Sequence, residues 1–328
     1  MSLDDYTDDE LAEIERRRNR FRVLVCLDGS DEAYCGVRHA GQISHSNDVD
    51  IIMLFVRPID QGLRTGGLQI RLARENMLEW GLSLPGPQIL QQGLDTLTEV
   101  KKDVYNPDDW MISSTHVDIE GDPLGDNKVI HRNQFDKTVV LKLKTAPDSA
   151  SGILDQYELG PYNLMMLGAP SHWASRFGTL LGAGPAQRVI MMAPCSVMVV
   201  RGDPKPSGHF ITTDGSEVSL DAVLRHAVLA HHCKQPITLF SVAPSVDLKK
   251  PAEEALRKAS DLLQAHDIPI SDGQIGIGKP VDQIVHMGRD YSVIGVSHHK
   301  HAHARAVFGG SVAYQVMAKA ATSVLNVR

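Results

Sequence analysis

GAPSHWASRFGTLLGAGPAQRVIMMAPCSVMVVR, running from Gly168 to Arg201, is matched without a gap by GVSHHKHAHARAVFGGSVAYQVMAKAATSVLNVR, from Gly295 to Arg328. Gly168/Gly295, His172/His299, Gly182/Gly309, Ala186/Ala313, Val189/Val316, Ser196/Ser323, Val200/Val327 and Arg201/Arg328 coincide. Chance does not arrange this, and duplication followed by divergence accounts for it. Whatever one half folds into, the other half repeats.

Upstream of these blocks the halves also begin alike. FRVLVCLDGS (Phe21 to Ser30) answers GHFITTDGS (Gly208 to Ser216), and helical stretches follow that contain Arg38-His39-Ala40 and Arg225-His226-Ala227. Second apolar runs end at Pro58 and Pro244. In the first half, β-rich runs near Val23–Leu27, Ile51–Val56, Val139–Leu143, Leu164–Leu167 and Val197–Val200 alternate with helical patterns. Continuous apolar strands alternating with helices belong to parallel sheets covered on both faces. The expected fold class is therefore α/β, with two tandem doubly wound parallel-sheet domains. The expected organisation is a capped N-terminal helix over 1–20, a first domain over 21–201, a Pro-rich linker over 202–207 and a second domain over 208–328.

A chain of 328 residues suits two domains, and 42% hydrophobic with 22% charged residues is ordinary globular usage. The net charge of −7 argues against nucleic acid or an anionic membrane as general partners. With no long apolar run and with Asp4, Asp5, Asp8 and Asp9 near the start, neither a membrane span nor a secretory signal is expected, and a cytoplasmic location is. Cys26, Cys35, Cys195 and Cys233 form no CxxC pair and read as buried free thiols. Thr7-Asp8-Asp9-Glu10 fits a capping box for the first helix, whose Arg16, Arg17, Arg18 and Arg20 are expected at its solvated end.

The first half is longer than the second by roughly fifty residues between its second and third strands, far beyond ordinary loops. This insert, at about 59–137, carries an amphipathic pattern over Leu68–Trp80, a break at Pro85-Gly86-Pro87, a second helical stretch over Ile89–Val100 and a polar segment through Trp110. It reads either as a decorative cap or as a lid or docking surface for a protein partner.

Ligands of doubly wound sheets sit beyond the carboxyl ends of strands, against helix N-termini. Asp28-Gly29-Ser30 and Asp214-Gly215-Ser216 fall there, as a strand-to-helix turn with a cap or as contacts to a ribose or amine. Gly168 and Gly295 end the fourth strands. Gly182-Ala183-Gly184 and Gly309-Gly310-Ser311 precede the next helices and could cradle phosphate. His298, His299, His301 and His303 sit in that loop beside Lys300 and Arg305, where a metal site, a basic phosphate-facing loop and a solvated loop all remain open. The repeated His172 and His299 suit phosphate contact or packing equally. No Ser/His/Asp set, nucleophile elbow or HExxH is present, so no catalytic residue and no metal ligand is assigned.

The chain resembles the universal stress protein family in its tandem form. The likeness lies in first strands ending Asp-Gly-Ser, fourth strands running into glycine, and last strands of the type Ala193-Pro194-Cys195-Ser196-Val197-Met198-Val199-Val200-Arg201. It covers nearly all of the chain outside 1–20 and the insert, and it implies Rossmann-like domains, a stress-response role and an adenine nucleotide (ATP) as ligand. Nucleotide-binding members carry G-x2-G-x9-G-[S/T]. Here Gly295, His298 and Gly310-Ser311 hold those places on a lengthened loop, and the first copy offers Gly168, Ser171 and Ala183-Gly184. The resemblance thus implies a second-domain site of Asp214, Gly215, Ser216, Val242, Gly295, His298, Gly309, Gly310 and Ser311. The first-domain counterpart is Asp28, Gly29, Ser30, Val56, Gly168 and Gly184. It also implies that Val197–Val200 pairs with Val324–Val327, and it leaves open a homodimer, a scaffold with relic sites, or slow ATP hydrolysis.

Overall fold

A computed structural model describes residues 16, 19–44, 48–59, 85–100, 110–119, 122–158, 162–169, 185–297 and 311–328. The chain divides into two compact units, Met1–Met165 with Gly184–Met192, and Met166–Ala183 with Ala193–Arg328.

In the first unit β1 (Phe21–Cys26), α1 (Asp31–Ile43), β2 (Val49–Pro58), α2 (Pro85–Val100), β3 (Met111–Ile119), β4 (Asp122–Arg132), β5 (Thr138–Ala146), α3 (Ser149–Glu158), β6 (Leu164–Gly168) and α4 (Pro185–Met192) follow in order, β6 running on across the division. The strands lie in the order β6-β1-β2-β5-β4-β3. β1, β2 and β5 are parallel, with Val23↔Ile51 and Ile51↔Val139 in register. Val23, Ile51, Met53 and Val139 are fully buried, which is why these strands read as unbroken apolar runs.

Pro85-Gly86-Pro87, expected as the break before a second helical stretch, forms the first turn of that helix, where amides have no intrahelical acceptor to lose. α2 packs on α1, β2 and β5 through Leu90, Gly93 and Leu97, so it is the crossover helix of the sheet. After it comes an antiparallel hairpin, β3 and β4, that pairs antiparallel with β5 and makes the sheet mixed. The amphipathic stretch Leu68–Trp80 lies outside the described residues.

The second unit contains β7 (Ser196–Val200), β8 (His209–Thr212), α5 (Glu217–His232), β9 (Ile237–Ala243), α6 (Lys250–Gln264), β10 (Asp272–Ile277), α7 (Pro280–Gly288), β11 (Val293–Ser297), α8 (Val312–Lys319) and β12 (Ser323–Val327). Its strand order is β10-β9-β8-β11-β12-β7. All pairings are parallel except β7 with β12, whose pairing the resemblance implied and where Val199↔Val324 and Val197↔Asn326 face each other antiparallel. The last arginine of each repeat braces this pairing. Arg201 donates to the carbonyls of Met317 and Thr322, and Arg328 to that of Ala193, and burial lowers the Arg201 guanidinium to about 10. α6 turns Ala252, Ala255, Ala259 and Leu263 inward at helical spacing, onto a core of Ile211, Val223, Leu239 and Ile268.

Of the N-terminal arginines expected at a solvated helix end, Arg16 and Arg20 are instead turned to a buried partner, and Arg17 and Arg18 lie outside the described residues. Arg16 and Arg20 reach the buried carboxylate of Asp50 at 3.1 and 2.8 Å, with side chains 17% and 9% exposed. At the far end of the insert, fully buried Lys137 donates to the carbonyl of Ser44, the C-cap residue of α1. None of the four cysteines is in a disulfide; Cys35 and Cys195 are buried and Cys26 and Cys233 half-buried.

Candidate functional site

In each unit the chain leaves its first strand in one direction and later returns to that strand's other side. β8 is followed outward by β9 and β10, then flanked by β11; β1 is followed by β2 and β5, then flanked by β6. Such a reversal opens a crevice beyond the carboxyl ends of the strands.

The Asp-Gly-Ser turns line it and are built alike. Asp214 Oδ1 accepts from the Ser216 amide at 3.0 Å and the Ser216 hydroxyl at 2.6 Å, and Ser216 Oγ caps α5 by accepting from the Ser219 amide. Asp28 Oδ1 accepts from the amide and hydroxyl of Ser30, which caps α1 through the Ala33 amide. The glycines hold φ of +88° at Gly29 and +76° at Gly215, and a Cβ on Gly215 would lie 2.9 Å from Ala255. One oxygen of each aspartate is thus spent on its own turn. Both aspartates are exposed at the crevice.

Gly295 lies inside β11 and is buried, with its carbonyl accepting from the Thr212 hydroxyl at 2.8 Å across to β8. A Cβ there would fall 2.1 Å from Nδ1 of His226. His226, of the repeated Arg-His-Ala, is fully buried and shares a 2.7 Å hydrogen bond with His209, their rings edge to face at 4.9 Å. Burial, with the nearby His209 adding, pushes the His226 pKa well below the ordinary histidine value. This packing is a role for Gly295 that sequence spacing did not reveal, although Arg-His-Ala, present twice, was the available signal.

Ser311 is the N-cap of α8, yet its hydroxyl makes no capping hydrogen bond, unlike Ser30 and Ser216. At the matching place in the first copy α4 starts on Pro185, which lacks an amide hydrogen. Val242 is half-buried at the end of β9. Val56, near the end of β2, packs against α3, where a Cβ on Gly152 would lie 2.5 Å from its Cγ1. Gly168 ends β6. The crevice of the second unit therefore brings together Asp214, Gly215, Ser216, Val242 and the carboxyl end of β11, and that of the first Asp28, Gly29 and Ser30. His298, Gly309, Gly310 and Gly184 lie outside the described residues, as do His172 and the histidines from 299 to 303. Among the described residues, no group of three or more His, Cys, Asp or Glu converges as a metal site, and no helix is long and apolar enough to cross a membrane.

No protein-family model matches the sequence, and no curated protein matches it. Solved structures do. A universal stress protein from Archaeoglobus fulgidus DSM 4304 superposes with a TM-score of 0.60 at 14% identity, over 94% of this chain and 96% of that one. The fold is that of universal stress proteins. A functionally unknown protein from Pseudomonas aeruginosa PAO1 gives a TM-score of 0.56 at 13% identity, over 95% of this chain and 94% of its own. A candidate universal stress protein from Pseudomonas aeruginosa UCBPP-PA14 gives 0.56 at 11% identity with the same coverage.

Proposed function

We propose that the chain is a tandem universal stress protein, a cytoplasmic regulatory module of the stress response that holds an adenine nucleotide, ATP, in its second unit. The observation that carries this reading is the uncommitted Ser311 hydroxyl at the amino end of α8, beside the crevice lined by Asp214, Val242 and the end of β11. Helix-start amides and their dipole favour phosphate, and a hydroxyl not used as a cap adds a donor. Gly310 and His298 complete the cradle in this reading. The first unit, with Gly184-Pro185 at the same place, is chiefly structural at its own crevice.

The test is equilibrium binding of ATP, ADP and AMP to the full chain by calorimetry, with Ser311→Ala and Gly310→Leu alongside. Both variants should bind more weakly. Absence of binding by the wild type at millimolar nucleotide would sink the reading. A second reading, a scaffold whose insert docks a protein partner, draws on Met111, Ile112 and Val117, which are 69%, 65% and 57% exposed on β3 at the end of the strand order. It predicts partner capture that is lost when these three become serine and is indifferent to nucleotide.

A further inference from the structure

Asn326, in β12, is 1% exposed, and neither the oxygen nor the nitrogen of its carboxamide has a hydrogen-bond partner among the described residues. A buried polar group without a partner costs stability, and here both ends of one amide are left so. The fold does not require an amide at this place. In the repeat Asn326 matches Val199, which is fully buried in β7. A polar side chain thus stands where the other copy keeps an apolar one, at a cost that packing does not recover.

Its face and height in the sheet show what it is near. A Cβ on Gly295 would point at His226 of α5, whereas Ile294 lies against Gly288 of α7, so alternate residues of β11 face opposite layers. Val296 shares the side of Ile294, and Asn326 is its partner in the parallel β11–β12 register, so Asn326 faces the layer of α7. α8 packs against α7 and on β12. It returns along the strand that follows it, with Ala320, Ala321 and Thr322 between them. Its eight residues climb about 12 Å, and the four from Ser323 to Asn326 span about 13 Å. The first turn of α8, where the Ser311 hydroxyl makes no capping bond, therefore stands level with Asn326. A helix start and a buried, unpaired carboxamide meet at the carboxyl end of the sheet.

We propose that Asn326 is a phosphate contact of the second unit: its NH2 donates to an oxygen of a phosphate group seated at the start of α8, and its oxygen accepts from a water carried with that group. The inference rests on the nucleotide reading and adds to it a residue that the family resemblance does not imply. It also gives the inequality of the two copies a chemical form, since Val199 offers no donor.

The test titrates ATP calorimetrically into the full chain and into two variants, Asn326→Val, which copies the first repeat, and Asn326→Leu, closest to asparagine in shape. Both should bind ATP about tenfold or more weakly, the factor for one hydrogen bond to a charged group. Without ligand both should melt about 2 °C or more above the wild type, because an unpaired buried amide has gone. Weaker binding by a more stable protein separates a ligand contact from a structural one. Wild-type affinity in both variants overturns this proposal and leaves the nucleotide reading standing. So does a lower ligand-free melting temperature in both, which would make the amide part of the packing. No binding of ATP by the wild type at millimolar concentration overturns both.

Discussion

Substituting Gly295 by alanine separates two reasons for a glycine in β11. If the residue serves only close approach of a phosphate, alanine alters ligand affinity and leaves the empty protein as stable as before. The packing of His226 says otherwise. The added Cβ would stand 2.1 Å from Nδ1 and 2.5 Å from Cε1, about 1.4 Å short of ordinary contact. The ring cannot simply retreat, because it is fully buried and held to His209 at 2.7 Å. Overpacking of a core costs about 1–3 kcal/mol, and the immobile neighbour puts this site toward the upper end. With a urea m-value of about 1–3 kcal/mol/M, the unfolding midpoint followed by circular dichroism should fall by about 1 M, with the slope unchanged. His226→Ala removes the obstruction, so the double variant should cost less than the two single changes added together, by about 1 kcal/mol or more. A midpoint for Gly295→Ala indistinguishable from wild type, or strict additivity in the cycle, would refute the reasoning.

The same histidine sets a pH dependence. Its pKa is depressed in the folded protein, so the unfolded chain takes up a proton near the ordinary histidine pKa of about 6.5 while the folded one does not. Stability is therefore full above that value and declines as pH falls below it, by up to about 1.4 kcal/mol per pH unit for one such group. Urea midpoints at pH 7.5 and 5.5 should differ accordingly, and His226→Gln should flatten the difference; an unchanged slope would remove His226 from the account. The two cap serines of the second unit should behave differently. Ser216→Ala loses both the α5 cap and a partner of Asp214 and should destabilise by about 1 kcal/mol. Ser311→Ala, with no capping bond to lose, should leave the thermal midpoint unmoved. Equal losses in the two variants would mean that Ser311 is an ordinary cap.

Much of the fold was legible because it rests on neighbours in sequence. Asp-Gly-Ser makes its hydrogen bonds to atoms two and three residues away, so its turn and cap could be read from three letters, twice. Buried parallel strands announce themselves as apolar runs, and the duplication tied the two sets of strands together. The hairpin did not announce itself. Met111–Val117 is exposed along its length, so burial imposes no period-two pattern on it, and Asp122–Arg132 is mostly polar.

The sequence by itself determined the tandem repeat, the α/β class and the local chemistry of the strand-end turns, since those follow from covalent adjacency and hydrophobic period. Only the tertiary structure decided which distant groups meet. His226 fills the space over Gly295 because α5 lies across β11, and Asn326 comes level with Val296 because β11 and β12 pair in that register. Contacts of that kind depend on the registry of elements far apart in the chain, and no local pattern encodes it.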